Sequence, residues 1–226
     1  MTDKLQQTRE MLANHHRDGE AFAELMKETY AGRFDEAFWQ SWQQWMTPVL
    51  GENSLVLDLG TGPGLFLKEL SQRYPGSRAV GVECAEYMLA AIETGCEVIE
   101  TDLHDPRLPF ADGEVDGVMA SVVLHEMHQP VRTLQEMSRC LKPGGRICIL
   151  DWVRVPLEQY LASEGAGVFD PTMALDELED SFIHFIEHNR FSADDLAFML
   201  QQCGFRVLDQ QLLRNGQFAR LIAERV

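Results

Sequence analysis

The run Leu55-Val56-Leu57-Asp58-Leu59-Gly60-Thr61-Gly62-Pro63-Gly64 joins an apolar stretch to an acid and then to glycines at alternate positions. A short apolar run closed by a turn signal reads as a buried parallel strand. Glycines straight after it let backbone approach a ligand that a Cβ would exclude. A helix opening there aims its unpaired N–H groups at the same place. Together these features suit a nucleotide-type cofactor. The spacing departs from the dinucleotide fingerprint, because the third glycine comes one residue early, and no Lys-Ser/Thr pair follows as a phosphate loop requires. Alone, the turn fits either a nucleotide site or a tight structural turn.

Polar residues at other strand ends extend the signal. Glu83 follows Val80-Gly81-Val82, about 20 residues past the glycines, where an acid can accept from two ribose hydroxyls and would repel a 2′-phosphate. Asp102 ends a third apolar run, placed to accept from an exocyclic amino group, and Ser121 ends a fourth, followed by Leu124-His125-Glu126. In an open α/β sheet, ligands bind outside the carboxyl ends of the strands. His125 is the candidate general base, since its ordinary pKa lies near neutrality. His184 and His188 are four apart and share a helix face, but no third ligand is evident, so no metal site is expected. They are instead expected, with Tyr30, Trp152, Phe34 and Phe169, as candidate pocket walls. His15-His16 reads as surface.

The elements that must position these groups alternate. Strands are expected over 54–59, 78–83, 97–101, 115–121 and 146–152, with helices over 63–74, 85–94 and 130–141 and a turn at Pro143-Gly144-Gly145. The reading is α/β: a doubly wound, mostly parallel seven-stranded sheet, Rossmann-like, with the last strand antiparallel. Residues 1–50 read as an N-terminal helical cap, since Phe34, Phe38, Trp42, Trp45 and Met46 recur at helical steps. Residues 51–154 form the cofactor-binding core, 155–190 an acidic helical insertion or lid, and 191–226 a helix and hairpin completing the sheet.

The 226 residues carry a net charge of −17. That charge disfavours a nucleic-acid partner, and the acids clustered from Glu158 to Asp195 read as a solvated face or, alternatively, as a field favouring a cationic acceptor. Five scattered cysteines without paired spacing, no apolar run long enough to span a bilayer and no leader segment point to a cytoplasmic protein.

The motifs resemble those of the class I S-adenosylmethionine-dependent methyltransferases. Leu57–Gly64 looks like their first motif, Gly81-Val82-Glu83 with Met88-Leu89 the second, and Asp102 with Leu108-Pro109-Phe110 the third. Leu124-His125-Glu126-Met127 and Leu141-Lys142-Pro143-Gly144-Gly145 resemble later motifs of the ubiquinone/menaquinone-biosynthesis subgroup. The resemblance implies S-adenosylmethionine as cofactor. Gly60, Thr61 and Gly62 would line its methionine portion, with Asp58 beneath the turn. Glu83 would take the ribose, with Cys84 and Met88 beside the adenine. Asp102 and Leu103 would meet the adenine edge, and Ser121 the reactive end. Thr61-Gly62-Pro63-Gly64 replaces the commoner small-Cys-Gly-x-Gly form, and Glu126 stands where many relatives carry a second His. The implied activity is in-line methyl transfer to a small molecule. The alternative is a cofactor-binding protein without transfer activity, acting as a sensor or partner subunit.

Overall fold

Every residue of Leu55–Leu59 (β1) is buried, and alternate side chains enter different cores, as strand pleating requires. Leu55, Leu57 and Leu59 join one apolar cluster, while Val56 joins the other. A strand buried on both faces sits inside a sheet covered on both sides. The computed structural model, which describes residues 4–164 and 167–226, shows that sheet. Its other strands are β2 (Arg78–Glu83), β3 (Glu97–Glu100), β4 (Val115–Ser121), β5 (Leu141–Trp152), β6 (Phe205–Leu213) and β7 (Phe218–Arg225). The order is β3-β2-β1-β4-β5-β7-β6. Strands β1 to β5 pair in parallel, and β7 runs antiparallel between β5 and β6. The order reverses between β1 and β4, which opens a crevice at their carboxyl ends.

Helices cover both faces. In chain order they are α1 (Lys4–His16), α2 (Gly19–Glu28), α3 (Tyr30–Arg33), α4 (Glu36–Trp45), α5 (Leu65–Arg73), α6 (Glu86–Ala90), α7 (Val131–Cys140), α8 (Leu157–Glu164), α9 (Leu175–His188) and α10 (Ala193–Gln202). Asp18, Asp35 and Ser192 cap α2, α4 and α10 with their side chains. One core packs Leu134 and Met137 of α7 and Leu196 and Leu200 of α10 on the sheet. The other packs Phe34, Phe38 and Trp42 against Phe66 of α5 and against Val56, Met119 and Ile222. The aromatic stripe of the N-terminal segment is therefore core, as its spacing suggests.

Three boundaries differ from the sequence reading. Helix α5 starts at Leu65 because Gly64, at φ +82°, occupies its N-cap. Helix α6 is five residues long, since Glu93 turns back to donate its N–H to the Pro63 carbonyl and Gly95 takes a positive φ. Strand β5 starts at Leu141, with the Pro143-Gly144-Gly145 turn inside it. The pairing jumps from Val115↔Leu141 to Gly117↔Arg146, so the turn is an irregularity within the strand.

Gly81 shows how tightly the sheet meets the glycine turn. A Cβ there would lie 2.6 Å from Thr61 Cγ2 and 2.9 Å from Leu67 Cδ1. Gly81→Ala is expected to displace Thr61 and to cost about 1–3 kcal/mol as overpacking. Denaturant unfolding of the variant checks this, and a variant as stable as the parent with unaltered cofactor affinity would refute it.

Candidate active site

A cavity of about 940 Å³ occupies the crevice. Asp58, Gly60, Thr61, Gly62, Glu83, Cys84, Met88, Asp102, Leu103 and Ser121, the residues that the sequence assigns to a cofactor, all line it. Gly60 stands at φ +60°, and a Cβ on it would come within 2.6 Å of Val123 Cγ2. Only glycine meets both demands. Thr61 Oγ1 donates to Asp58 Oδ2 at 2.6 Å, tying the turn to the end of β1.

Backbone holds Glu83 from three directions. Its Oε2 accepts from Gly62 N–H at 3.0 Å, and its Oε1 from Cys84 and Ala85 N–H at 2.7 and 2.8 Å. Burial raises its pKa, and these three donors oppose the rise. Asp58 has fewer partners, so burial pushes it up to about 7. Asp102 and Glu126 go the other way. Burial would raise Asp102, but hydrogen bonds from His104 and from Thr8 Oγ1, at 2.9 Å, outweigh it and the pKa falls. Burial would likewise raise Glu126, but His16 Nε2 at 2.9 Å outweighs it.

Among the described residues, three buried polar atoms around the cavity have no protein partner: Ser121 Oγ, Arg33 Nε and His104 Nε2. Among the described residues Arg33 bonds only neutral oxygens, with Nη1 donating to Thr29 Oγ1 at 2.7 Å and Nη2 to the Met26 carbonyl at 3.1 Å. Burial lowers its pKa to about 10, and the nearby Arg214 adds to the fall. Val122, a β-branched wall residue, sits at φ +54°. That is a strained conformation of the kind held at ligand sites.

The remaining expected residues divide. Tyr30 lines the cavity, and its hydroxyl donates to Glu69 Oε2 at 2.6 Å. His125 does not line it. This histidine is 2% exposed, and its Nδ1 lies 2.6 Å from Asp151 Oδ1. Asp151 also accepts from the N–H groups of Leu124, His125 and Trp152, so the pair binds the loop after β4 to β5. Burial pulls the His125 pKa down, but the Asp151 charge and hydrogen bond outweigh it and the net shift is upward. Trp152, His184 and His188 line a separate, smaller cleft. Phe34 does line the main cavity, but Phe169 is 80% exposed and is no pocket wall. His15 and His16 are not surface residues. Their side chains are 12% and 4% exposed, because α1 lies over the site and each ring meets a glutamate. Segment 155–190 contributes nothing to the cavity lining among the described residues, so its acids do not face the site.

The sequence reading did not pick out Thr8, Leu12 and His16 of α1, Phe22 and Met26 of α2, and Arg33, all of which line the cavity. One signal was available. Phe22, Met26, Tyr30, Phe34 and Phe38 follow at four-residue steps, and the first four face the cavity before the run passes into the core.

Residues 57–149 match the family model described as "Methyltransferase domain". The chain is 27% identical over 200 residues to the ubiquinone/menaquinone biosynthesis C-methyltransferase UbiE of Desulfotalea psychrophila, covering 80% of this chain and 81% of that protein. It is 31% identical over 154 residues to a mouse protein named as a tRNA methyltransferase 9B, covering 61% of this chain but 31% of that one. An S-adenosylmethionine-dependent methyltransferase from Aquifex aeolicus shares the fold, with a TM-score of 0.62 and 20% identity over 92% of this chain and 99% of that one. Residues 57–149 thus carry a methyltransferase domain, and the fold is the one seen in S-adenosylmethionine-dependent methyltransferases. Within that class the chain resembles the ubiquinone/menaquinone-biosynthesis type.

The raised pKa of Asp58 has a thermodynamic consequence. Between about pH 4 and pH 7 the folded chain holds a proton here that the unfolded chain has released. Asp58 therefore makes the protein less stable as pH rises through that window, and the effect levels off above it. Asp58→Asn keeps an acceptor for Thr61 and removes the titration. The melting temperature of Asp58→Asn should gain on that of the parent by several degrees from about pH 5 to about pH 8. A difference that does not change with pH would contradict the assignment.

Proposed function

We propose that the protein transfers the methyl group of S-adenosylmethionine to a small, largely apolar acceptor that binds beneath the N-terminal helices. The observation that supports this most directly is the make-up of one cavity. Its floor carries the polar groups of four strand ends, and its roof is Leu12, Phe22, Met26, Tyr30 and Phe34. The orphaned Ser121 Oγ and Arg33 Nε at the same cavity fit a ligand that brings both hydroxyl and carboxylate groups. Glu83 is already held by three N–H groups and retains lone pairs for the ribose hydroxyls. We assign the carboxylate of the methionine portion to Arg33, the lining cation that has no acid partner.

The cofactor supplies an activated methyl on a positively charged sulfur. What the chain adds is alignment and exclusion of water. The glycine turn and Glu83 fix the nucleoside, Arg33 fixes the opposite end, and the aromatic roof closes over the acceptor. No acid lining the cavity is left without a partner: Asp58, Glu83, Asp102 and Glu126 are all engaged. A cationic acceptor thus gains no support from this cavity. The similarity to a tRNA methyltransferase means that charge alone does not exclude a nucleic-acid acceptor. The small-molecule reading rests on the apolar residues that roof the cavity. Among the described residues no helix is long and apolar enough to cross a membrane. The five cysteines are unpaired, which accords with a reducing cytoplasmic setting.

Calorimetric titration with S-adenosylmethionine and S-adenosylhomocysteine tests the core of this reading, and heat-silent mixing with both would end it. Arg33→Met should weaken S-adenosylhomocysteine binding about 10- to 100-fold, the value of a charge-assisted pair. It should leave 5′-methylthioadenosine, which lacks the carboxylate, unaffected. Equal losses for both ligands would remove Arg33 from that role. Methylation assays should show turnover with quinone- or phenol-like acceptors and none with bulk tRNA, and the reverse result would overturn the acceptor class.

A further inference from the structure

Three histidines from distant parts of the chain meet beside the cofactor cavity without lining it. His15 comes from the end of α1, His125 from the loop after β4, and His188 from the end of α9. One ligating atom of each lies within 4.8 Å of the other two. The ring centroids are 5.1 Å apart for His125 and His188, 5.9 Å for His15 and His188, and 6.3 Å for His15 and His125.

The outer contacts of these rings show what the inner nitrogens are for. His125 Nδ1 faces Asp151 Oδ1 at 2.6 Å, His15 Nδ1 faces Glu187 Oε2 at 2.8 Å, and His188 Nδ1 faces the His184 carbonyl at 3.1 Å. At His125 and His188 the contact is a hydrogen bond, so those two Nδ1 atoms have an oxygen to donate to, while His15 Nδ1 lies beside the Glu187 carboxylate as a charge contact. For His125 and His188 that favours the tautomer in which Nε2 carries the lone pair, and a ring nitrogen of each of the three histidines lies within 4.8 Å of the others. Lone pairs facing lone pairs in a buried site repel, unless something positive lies between them. An imidazole anchored at Nδ1 by a carboxylate or carbonyl, with Nε2 free, is the outer arrangement that metal-ligating histidines show.

We propose that His15, His125 and His188 bind one divalent first-row transition cation, with zinc the best fit, and that the ion clasps α1 and α9 to the loop after β4. Three imidazoles leave a fourth position open, as in sites that keep a water or take a substrate atom. A tetrahedral ion at ~2.0–2.1 Å from each nitrogen would draw donors that lie within 4.8 Å of one another to roughly 3.4 Å apart. Asp151, Glu187 and Glu126 surround the rings with negative charge. The ion has an entry path, since His15 and Glu187 line a surface cleft between α1 and α9. A second grouping, His15 with His16 and Glu126, is close enough to compete. It is the weaker donor set, because both His16 nitrogens are engaged, Nδ1 by the Tyr87 hydroxyl and Nε2 by Glu126.

The test uses the full chain, stripped with chelator and without cofactor, so its outcome is independent of the methyltransferase reading. Cobalt(II) titration should give visible bands of a four- or five-coordinate nitrogen site, saturating at one ion per chain and displaced by zinc. Zinc should raise the melting temperature, and chelator should return it. His188→Ala should weaken binding at least tenfold, while His184→Ala and His16→Ala leave it within about threefold. The unmodified protein carries the first arm, so a variant that fails to fold does not decide the matter. Absence of saturable cobalt or zinc binding would overturn the proposal. So would undiminished binding by a folded His188→Ala, or loss confined to His16→Ala.

Discussion

The buried carboxylate of Glu83 is the constraint around which the cofactor site is arranged. Moving a carboxylate out of water costs several kcal/mol unless donors replace the solvent. Here the donors are three backbone N–H groups, from Gly62, Cys84 and Ala85. The Gly62 donor exists only if the glycine turn folds back over the end of β2. That requires β1 and β2 to be parallel neighbours and Gly60 to adopt its positive φ. It also needs a residue without a side chain at Gly81, beneath Thr61. The acid that would bind the ribose is therefore also the group that makes the empty turn hold its shape. Preorganisation of this kind lowers what ligand binding must supply.

The N-terminal segment completes the site by reaching across the chain. Thr8 donates to Asp102, Arg9 to the Cys84 carbonyl, and His16 meets Glu126. Each contact joins α1 to a strand end far away in sequence. Of the residues of α1 only Thr8 and Leu12 are buried, and Leu5 and Met11 add partly buried apolar contact beside Leu12, so polar contacts and a small apolar cluster together hold the helix.

Much of the fold and the cofactor half of the cavity could be read from sequence, because both rest on local rules. A parallel strand needs an apolar run, a turn needs glycine, and a ligand at the sheet's carboxyl edge needs polar strand ends. Asp58, Glu83, Asp102 and Ser121 announce themselves in that way. What could not be read rests on long-range packing. Arg33 and His16 look like surface residues on a polar helix until α1 to α3 are laid across the crevice. His125 looked like a base because it follows Ser121. Its partner, Asp151, lies on another strand, and no local pattern pairs them. His15 and His188 lie at the ends of helices that share no sequence signal.

The net charge illustrates the same division between local and global. At −17 the protein repels anions at long range, and that property governs encounter. Screening at physiological salt limits such effects to about 8 Å, so the preference of the site is set by the groups within it. There the acids are bound to donors, and the exposed acids of α9 face elsewhere. Among the described residues lining the cavity, the cation without an acid partner is Arg33. An acidic surface and a site that holds a carboxylate are thus compatible. The surface keeps polyanions at a distance, while a small ligand whose carboxylate is balanced by its own ammonium and sulfonium groups pays little for approaching it.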